Sequence, residues 1–226
     1  MKGGGSDDAK KRAAESATEA VEDGMVVGLG TGSTTAYAIR DLGARVDEGL
    51  DIRGIPTSFQ ARELARTVGV PLTSLDETVP DIAIDGADQV AGDTLVKGGG
   101  AAHAREKIVD TAAKRLLIVV DSSKTADELD HFVPIEVLPD ARTTVAARIK
   151  ELGGEPTLRA ATRKDGPVVT DNGNLVLDCD FGTIAEPAEL AGTLSTIPGI
   201  LEHGLFVDCA DEIHVGTDES VRVDRL

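Results

Sequence analysis

Aromatic side chains are nearly missing from this 226-residue sequence, which has no tryptophan, one tyrosine and four phenylalanines. A core made without them has to use Val, Leu, Ile and Ala. That suits helices packed on a buried sheet and leaves no aromatic platform on which bases could stack. Cysteine is as scarce: Cys179 and Cys209 are the only two and form no C-x-x-C pair. A disulfide framework and a zinc ribbon are therefore excluded, and both residues read as small core side chains. The histidines, His103, His131, His203 and His214, show neither H-x-H nor H-E-x-x-H spacing, so no histidine metal centre is expected. His103 itself reads as a residue of a helix surface.

Positive charge is also short. There are 40 acidic and 23 basic residues, a net charge of −17, which repels phosphate backbones and anionic lipid. Neither nucleic acid nor a membrane is expected as a partner. The acidity runs along the whole chain and is not gathered in a tail, as on the surface of a salt-adapted cytoplasmic protein. No apolar run approaches the ~18 residues of a membrane span, and the N-terminus has no signal-peptide core. The protein reads as soluble and cytoplasmic, with a loose start over Met1–Ser6.

What the sequence does have is glycine at the ends of short apolar runs. Met25-Val26-Val27 leads into Gly28-Leu29-Gly30-Thr31-Gly32-Ser33-Thr34-Thr35 and a helix over Ala36–Leu42. A strand, a glycine-rich turn and a helix N-terminus make an anion site, since unbonded N–H groups and the helix dipole both face the loop. Ser33 takes the last glycine position of G-x-G-x-x-G and no Gly-Lys-Ser/Thr follows, so neither the dinucleotide nor the Walker pattern is met. A single phosphate or a sugar hydroxyl fits better. A plain Ser/Thr helix cap is the alternative.

Three further strand ends carry polar residues. Ile82-Ala83-Ile84 runs into Asp85-Gly86-Ala87-Asp88, two carboxylates that can exchange protons with a substrate, bind a cation, or merely build a turn. Leu95-Val96 runs into Lys97-Gly98-Gly99-Gly100, followed by a helix carrying Glu106. The most apolar strand, Leu116–Val120, ends in Asp121-Ser122-Ser123-Lys124. In open parallel sheets ligands bind outside the carboxyl ends of the strands, so these loops are expected to share one edge. From about Leu129 the rhythm becomes β-α-β-β-α-β, with an extra short strand at Val168–Thr170 and a turn at Asn172-Gly173. The expected fold is α/β: a doubly wound, Rossmann-like parallel sheet domain over 1–128, completed by 208–226, and a smaller ferredoxin-like α+β domain over 129–207.

Together these loops resemble the A-type family of ribose-5-phosphate isomerase. The motifs that carry the resemblance are Gly28–Thr34, Asp85–Asp88, Lys97–Ala102, Arg105-Glu106-Lys107, Ser123-Lys124, Val169–Asn174 and Gly204-Leu205-Phe206. Gln89 departs from it, since a glutamate is expected after the D-G-A-D turn. The resemblance implies interconversion of D-ribose 5-phosphate and D-ribulose 5-phosphate with no metal and no cofactor, in a homodimer or homotetramer. It also implies that Glu106 is the general base and that Asp85, Asp88 and Lys97 line the reacting end. Substrate contacts would come from Thr31, Gly32, Ser33, Thr34, Gly86, Ala87, Gly98, Gly99, Gly100 and Lys124. An acyl-transfer enzyme using Glu106 as nucleophile and a non-catalytic sugar-phosphate sensor are the alternatives.

Overall fold

The structure is a computed structural model and describes residues 5–226. In chain order its elements are α1 (Asp7–Thr18), β1 (Val26–Leu29), α2 (Ser33–Asp47), β2 (Arg53–Pro56), α3 (Phe59–Thr67), β3 (Ile82–Asp85), β4 (Gln89–Ala91) and β5 (Thr94–Val96). There follow α4 (His103–Ala112), β6 (Leu116–Asp121), β7 (Val133–Val137), α5 (Arg142–Glu151), β8 (Glu155–Leu158), β9 (Leu175–Asp180) and α6 (Pro187–Ser195). The last are β10 (Ile200–His203), β11 (Leu205–Phe206), β12 (Glu212–Gly216) and β13 (Val221–Arg225). They form two compact units. One runs up to Ala87 and includes Arg105–Thr125 and Cys209–Leu226; the other is Asp88–Ala104 with Ala126–Asp208. Residues 88–104, read with the first domain in the sequence, thus fold with the second unit.

The first unit holds a six-stranded sheet in the order β13-β12-β6-β3-β1-β2, parallel except for β13. Alternate residues of these strands point to opposite faces. Val27, Leu29, Ile82, Ile84, Leu117 and Val119 meet the alanine-rich faces of α1 and α2 and the small residues of α3. Val26 and Ile55 meet Val109 of α4 on the other face. The sheet is therefore wound on both sides, and β6, a continuous apolar run, is buried throughout, as a covered parallel strand should be. Gly28 allows the close approach: a Cβ there would lie 2.9 Å from Val109 Cγ1 and 2.8 Å from Ala83 Cβ. The tail does return to this sheet as β12 and β13.

Two expectations shift here. Helix α2 runs past Leu42 because Gly43 does not break it; a Cβ at Gly43 would sit 2.5 Å from Val68 O, so the glycine lets α2 press against the end of α3. The start of the chain is tied down from Gly5 onward. Gly5 N–H donates to Asp121 Oδ1 at 3.0 Å, and Ser6 Oγ caps α1 by accepting from Ala9 N–H at 3.1 Å. The earlier residues of that expectation lie outside those described.

The second unit has a four-stranded antiparallel sheet in the order β10-β7-β9-β8, crossed by α5 and α6. That is the ferredoxin-like order. A second, three-stranded sheet, β11-β5-β4, contains the β4–β5 hairpin; the strand end expected at Leu95-Val96 is β5 and belongs to this sheet, so the Lys97 loop does not leave the edge of the parallel sheet as expected. The strand expected at Val168–Thr170 forms only one isolated bridge, Val169 with Leu175. Its segment has another task. Glu136 of β7 is fully buried, and its Oε1 accepts from Thr170 Oγ1 at 2.8 Å, Asn174 Nδ2 at 2.9 Å and Asn172 Nδ2 at 3.1 Å. The Val169–Asn174 motif thus folds its turn onto one buried carboxylate. Cys179 packs in this core, where burial and the nearby Asp178 charge push its thiol up to about 12. Cys209 is half-buried and not a core residue. No helix among the described residues is long and apolar enough to cross a membrane.

Candidate active site

In the first unit, β6, β3 and β1 are neighbours and parallel, so the loops at their carboxyl ends lie side by side. The order reverses between β1 and β3, the place where open α/β sheets take their ligands. Gly30–Ser33 leaves β1, Asp85 ends β3, and Asp121 with Lys124 ends β6.

Asp85 is fully buried, and its Oδ1 accepts from Gly86 N–H at 2.7 Å and Thr31 N–H at 3.1 Å. A Cβ on Gly30 would come 2.1 Å from that oxygen and 2.6 Å from Asp85 Cα, so only glycine lets β1's loop pass β3 at this distance. The α2 N-terminus follows, with Gly32 at φ +136° in the cap position and no side-chain cap bond. The simple Ser/Thr cap is therefore not what the hydroxyls form. The N-terminus of a fifteen-residue helix can attract an anion, and here Ser33 is exposed and Thr34 half-buried beside it. Thr31 is the exception among the expected hydroxyls. Its Oγ1 lies 2.8 Å from Thr57 Oγ1 and donates to Ser58 Oγ at 2.7 Å, while Ser58 Oγ caps α3. It braces two loops.

Glu106 lies in the first turn of α4 and is 3% exposed, so its carboxylate is not turned into bulk water. Lys124 is half-buried at the end of the 3₁₀ turn Ser122–Lys124. That turn is held by Asp121, whose Oδ1 accepts from Ser123 N–H at 2.9 Å and Ser123 Oγ at 2.5 Å. Lys10 pairs with Asp7 at 3.7 Å on α1.

In the second unit, Lys97 leaves β5 and is 2% exposed; its N–H donates to Gly204 O at 2.8 Å, and its Nζ sits 5.2 Å from the Phe206 ring centroid. Positive charge over an aromatic face is favourable where water is excluded. Gly204 is required there, since a Cβ would lie 2.2 Å from Lys97 O. Asp88 Oδ2 accepts from Gly99 N–H at 2.6 Å, so one amide of the triplet serves the loop itself. Gly98 has φ +106°, and a Cβ on it would strike His103 Nδ1 at 2.7 Å.

His103 corrects an expectation. It is fully buried, with Nε2 3.3 Å from Glu202 O, and lies under the glycine triplet and not on a helix surface. Gln89 also has a clear local role. Its Oε1 accepts from His131 N–H at 2.8 Å and Asp130 N–H at 2.9 Å, and its Nε2 donates to Asp130 Oδ1 at 2.5 Å. Arg159, which no motif singled out, donates to two carbonyls of the triplet. No group of three or more His, Cys, Asp or Glu side chains arranged to hold a metal ion occurs among the described residues.

Residues 53–220 match the family described as Ribose 5-phosphate isomerase A (phosphoriboisomerase A). The ribose-5-phosphate isomerase A of Natronomonas pharaonis is 67% identical over 220 residues, covering 97% of this chain and 98% of the relative. That of Haloarcula marismortui is 65% identical over 226 residues, covering 100% of this chain and 99% of its own. Among solved structures, ribose 5-phosphate isomerase A from Methanocaldococcus jannaschii superposes with a TM-score of 0.93 at 45% identity, over 97% of this chain and 99% of that one. A D-ribose-5-phosphate isomerase in complex with phospho-erythronic acid gives 0.94 at 44% identity, over 96% and 98%. With these identities and this backbone match extending over almost the whole length of both partners, the chain belongs to the ribose 5-phosphate isomerase A family of enzymes.

Proposed function

We propose that the protein interconverts D-ribose 5-phosphate and D-ribulose 5-phosphate through an enediolate, with Glu106 as general base. The observation that carries this reading is the burial of ionisable groups within the glycine-loop motifs: Asp85 at 0%, Lys97 at 2% and Glu106 at 3% exposure. Burying charge is costly unless it is compensated, and a fold accepts that cost at sites that use it.

The chemistry assigns the roles. In the aldose-to-ketose direction, the Glu106 carboxylate removes the proton on C2. The C2–H electrons form the C1=C2 bond, and negative charge develops on O1. Lys97 and a loop N–H oppose that charge; one such donor is typically worth ~10²–10³-fold in rate. Glu106 then returns its proton to C1, while O2 loses its own proton to become the ketone oxygen. Asp85 or Asp88 passes protons between O1 and O2 and assists furanose opening. The phosphate is met by the α2 N-terminus with Ser33 and Thr34, and by Lys124, since a chain of charge −17 offers no long-range attraction to a dianion. The phosphorylated acid bound by the solved relative is of the same class of anion. We place this activity in the cytoplasm, in a homodimer or homotetramer.

The test is turnover of ribose 5-phosphate by the purified protein in high-salt buffer containing a chelator. Glu106→Gln should stay folded and lose ~10²–10⁴-fold in kcat. An inactive wild type overturns the reading, and an active Glu106→Gln overturns the choice of base.

A further inference from the structure

The glycine triplet is gripped from its carbonyl side by one guanidinium. Arg159 stands just beyond β8, and its Nη1 donates to Gly98 O at 2.9 Å and to Gly99 O at 3.1 Å. The rest of the fork is committed to Asp178 on β9. Nε donates to Oδ2 at 2.9 Å and to Oδ1 at 3.1 Å, and Nη2 also donates to Oδ1. The two side chains are only 13% and 21% exposed, so salt screens them far less than the pairs on the surface. A planar guanidinium held by a carboxylate along one edge has no freedom to turn along the other.

This grip has a consequence for the opposite side of the loop. In a planar trans peptide the C=O and the following N–H point in opposite directions. Drawing Gly98 O toward Arg159 therefore aims Gly99 N–H away from it, and that N–H is found on Asp88 Oδ2 at 2.6 Å. Drawing Gly99 O toward Arg159 in the same way aims Gly100 N–H away from the guanidinium. Glycines left alone would not hold these directions, because no residue type has more backbone freedom.

We propose that Arg159, locked by Asp178, is a positioning residue for the isomerisation: it sets the aim of the Gly100 N–H and holds the Gly99–Asp88 contact, without itself touching substrate. This rests on the reading of the site given above. Arg159 then matters to the developing charge and hardly at all to ground-state binding.

The experiment compares wild type with Arg159→Gln, Arg159→Lys, Arg159→Ala and Asp178→Asn in kcat, KM and melting temperature, and follows amide hydrogen exchange over Gly98–Gly100. Arg159→Gln should lower kcat by ~10–100-fold, less than the loss of a whole donor, with KM within about threefold of wild type. Arg159→Lys keeps the charge but lacks the fork, and should fall between the two. Millimolar guanidinium should restore part of the kcat of Arg159→Ala. Asp178→Asn should lose activity in the same direction, and the Arg159→Ala/Asp178→Asn double variant should be no worse than Arg159→Ala, because the two act as one device. Loop amides should exchange faster in every variant. The proposal is overturned if kcat stays within twofold of wild type, if the loss lies in KM alone, or if activity falls only as melting temperature does and guanidinium restores nothing. A wild type without turnover would defeat the reading of the site instead. Exchange over Gly98–Gly100 would still judge the clamp, and unchanged protection in Arg159→Gln would remove it.

Discussion

The two glycine-rich loops of this chain are held by different means. Gly28–Thr35 is fixed by its N–H groups and hydroxyls: Thr31 N–H bonds to buried Asp85, and Thr31 Oγ1 reaches Thr57 and Ser58. Lys97–Gly100 is held by N–H groups, on Gly204 O and Asp88, and in addition by its carbonyls, on the charged pair Arg159–Asp178. The difference follows from what each loop leaves. Strand β1 has parallel neighbours on both sides and a fifteen-residue helix after its loop, so regular structure already sets the backbone. Strand β5 is a three-residue piece of a three-stranded sheet, and its loop needs a side-chain clamp. At Gly30 a side chain would meet backbone, whereas at Gly99 the nearest obstacle is a carboxylate.

The largest test of that contrast is a pair of alanine substitutions. At Gly30 the new Cβ meets Asp85 Cα at 2.6 Å as well as its carboxylate, so backbone must move. Gly30→Ala should cost ~3 kcal/mol or more in urea unfolding, the upper end of overpacking. At Gly99 the Cβ meets only the Asp88 carboxylate, at 2.5 Å from Oδ1, and that side chain can swing away. Gly99→Ala should change stability by less than ~1 kcal/mol while turnover falls. Equal destabilisation by the two would erase the distinction between the loops.

A smaller effect is expected at Gln89, also in the second unit. Glutamate is the residue the sequence resemblance leads one to expect there, yet Gln89 Nε2 donates to Asp130 Oδ1 at 2.5 Å in a site where Gln89 is 5% exposed. Gln89→Glu would replace that donor by a charge facing a carboxylate. A loss of ~1–3 kcal/mol is expected, and adding Asp130→Asn should recover most of it. A neutral Gln89→Glu would mean that this turn is not held by the bonds described.

How much of this was legible beforehand depended on the range of the contacts involved. The strand–glycine–helix order, the return of the tail to the first sheet and the ferredoxin-like order all follow from local patterns of apolar residues and turns. Gly30, Gly99 and Gly204 could be seen as glycines, but their reasons lie in residues remote in sequence. Arg159 carried no signal because its partner Asp178 is on the next strand, and only the β8–β9 register, with Leu158 opposite Leu177, brings them together. His103 reads in the sequence as a residue of a helix surface because nothing local marks it as buried, whereas it sits beneath the triplet. Gln89 looked like a lost carboxylate until Asp130 appeared beside it.

The smallest expected effect is a pH dependence confined to the first unit. His214 on β12 is 4% exposed and lies 2.9 Å from Ser16 Oγ through Nδ1. Burial holds its pKa below the ordinary value, and Arg115 adds to this, against the raising influence of Glu212 and Glu19. A histidine whose folded pKa is depressed binds fewer protons folded than unfolded. Its contribution is therefore complete above the unfolded value of about 6.5 and is lost as pH falls toward the folded value. Asp81 acts in the same direction much lower. Its bonds to Lys114 and Val26 N–H hold it below the ordinary carboxylate range, so its contribution goes only under strong acid. Between pH 7.5 and 5.5 stability should therefore fall slightly as His214 in the unfolded chain takes up its proton. Hydrogen exchange at the two pH values, corrected for intrinsic rates, should show protection falling in β12, β6 and α1 more than in β7 and β9. His214→Gln should flatten that difference. If β7 and β9 lose as much protection as β12, acid acts on the whole chain through its net charge and this histidine is irrelevant to it.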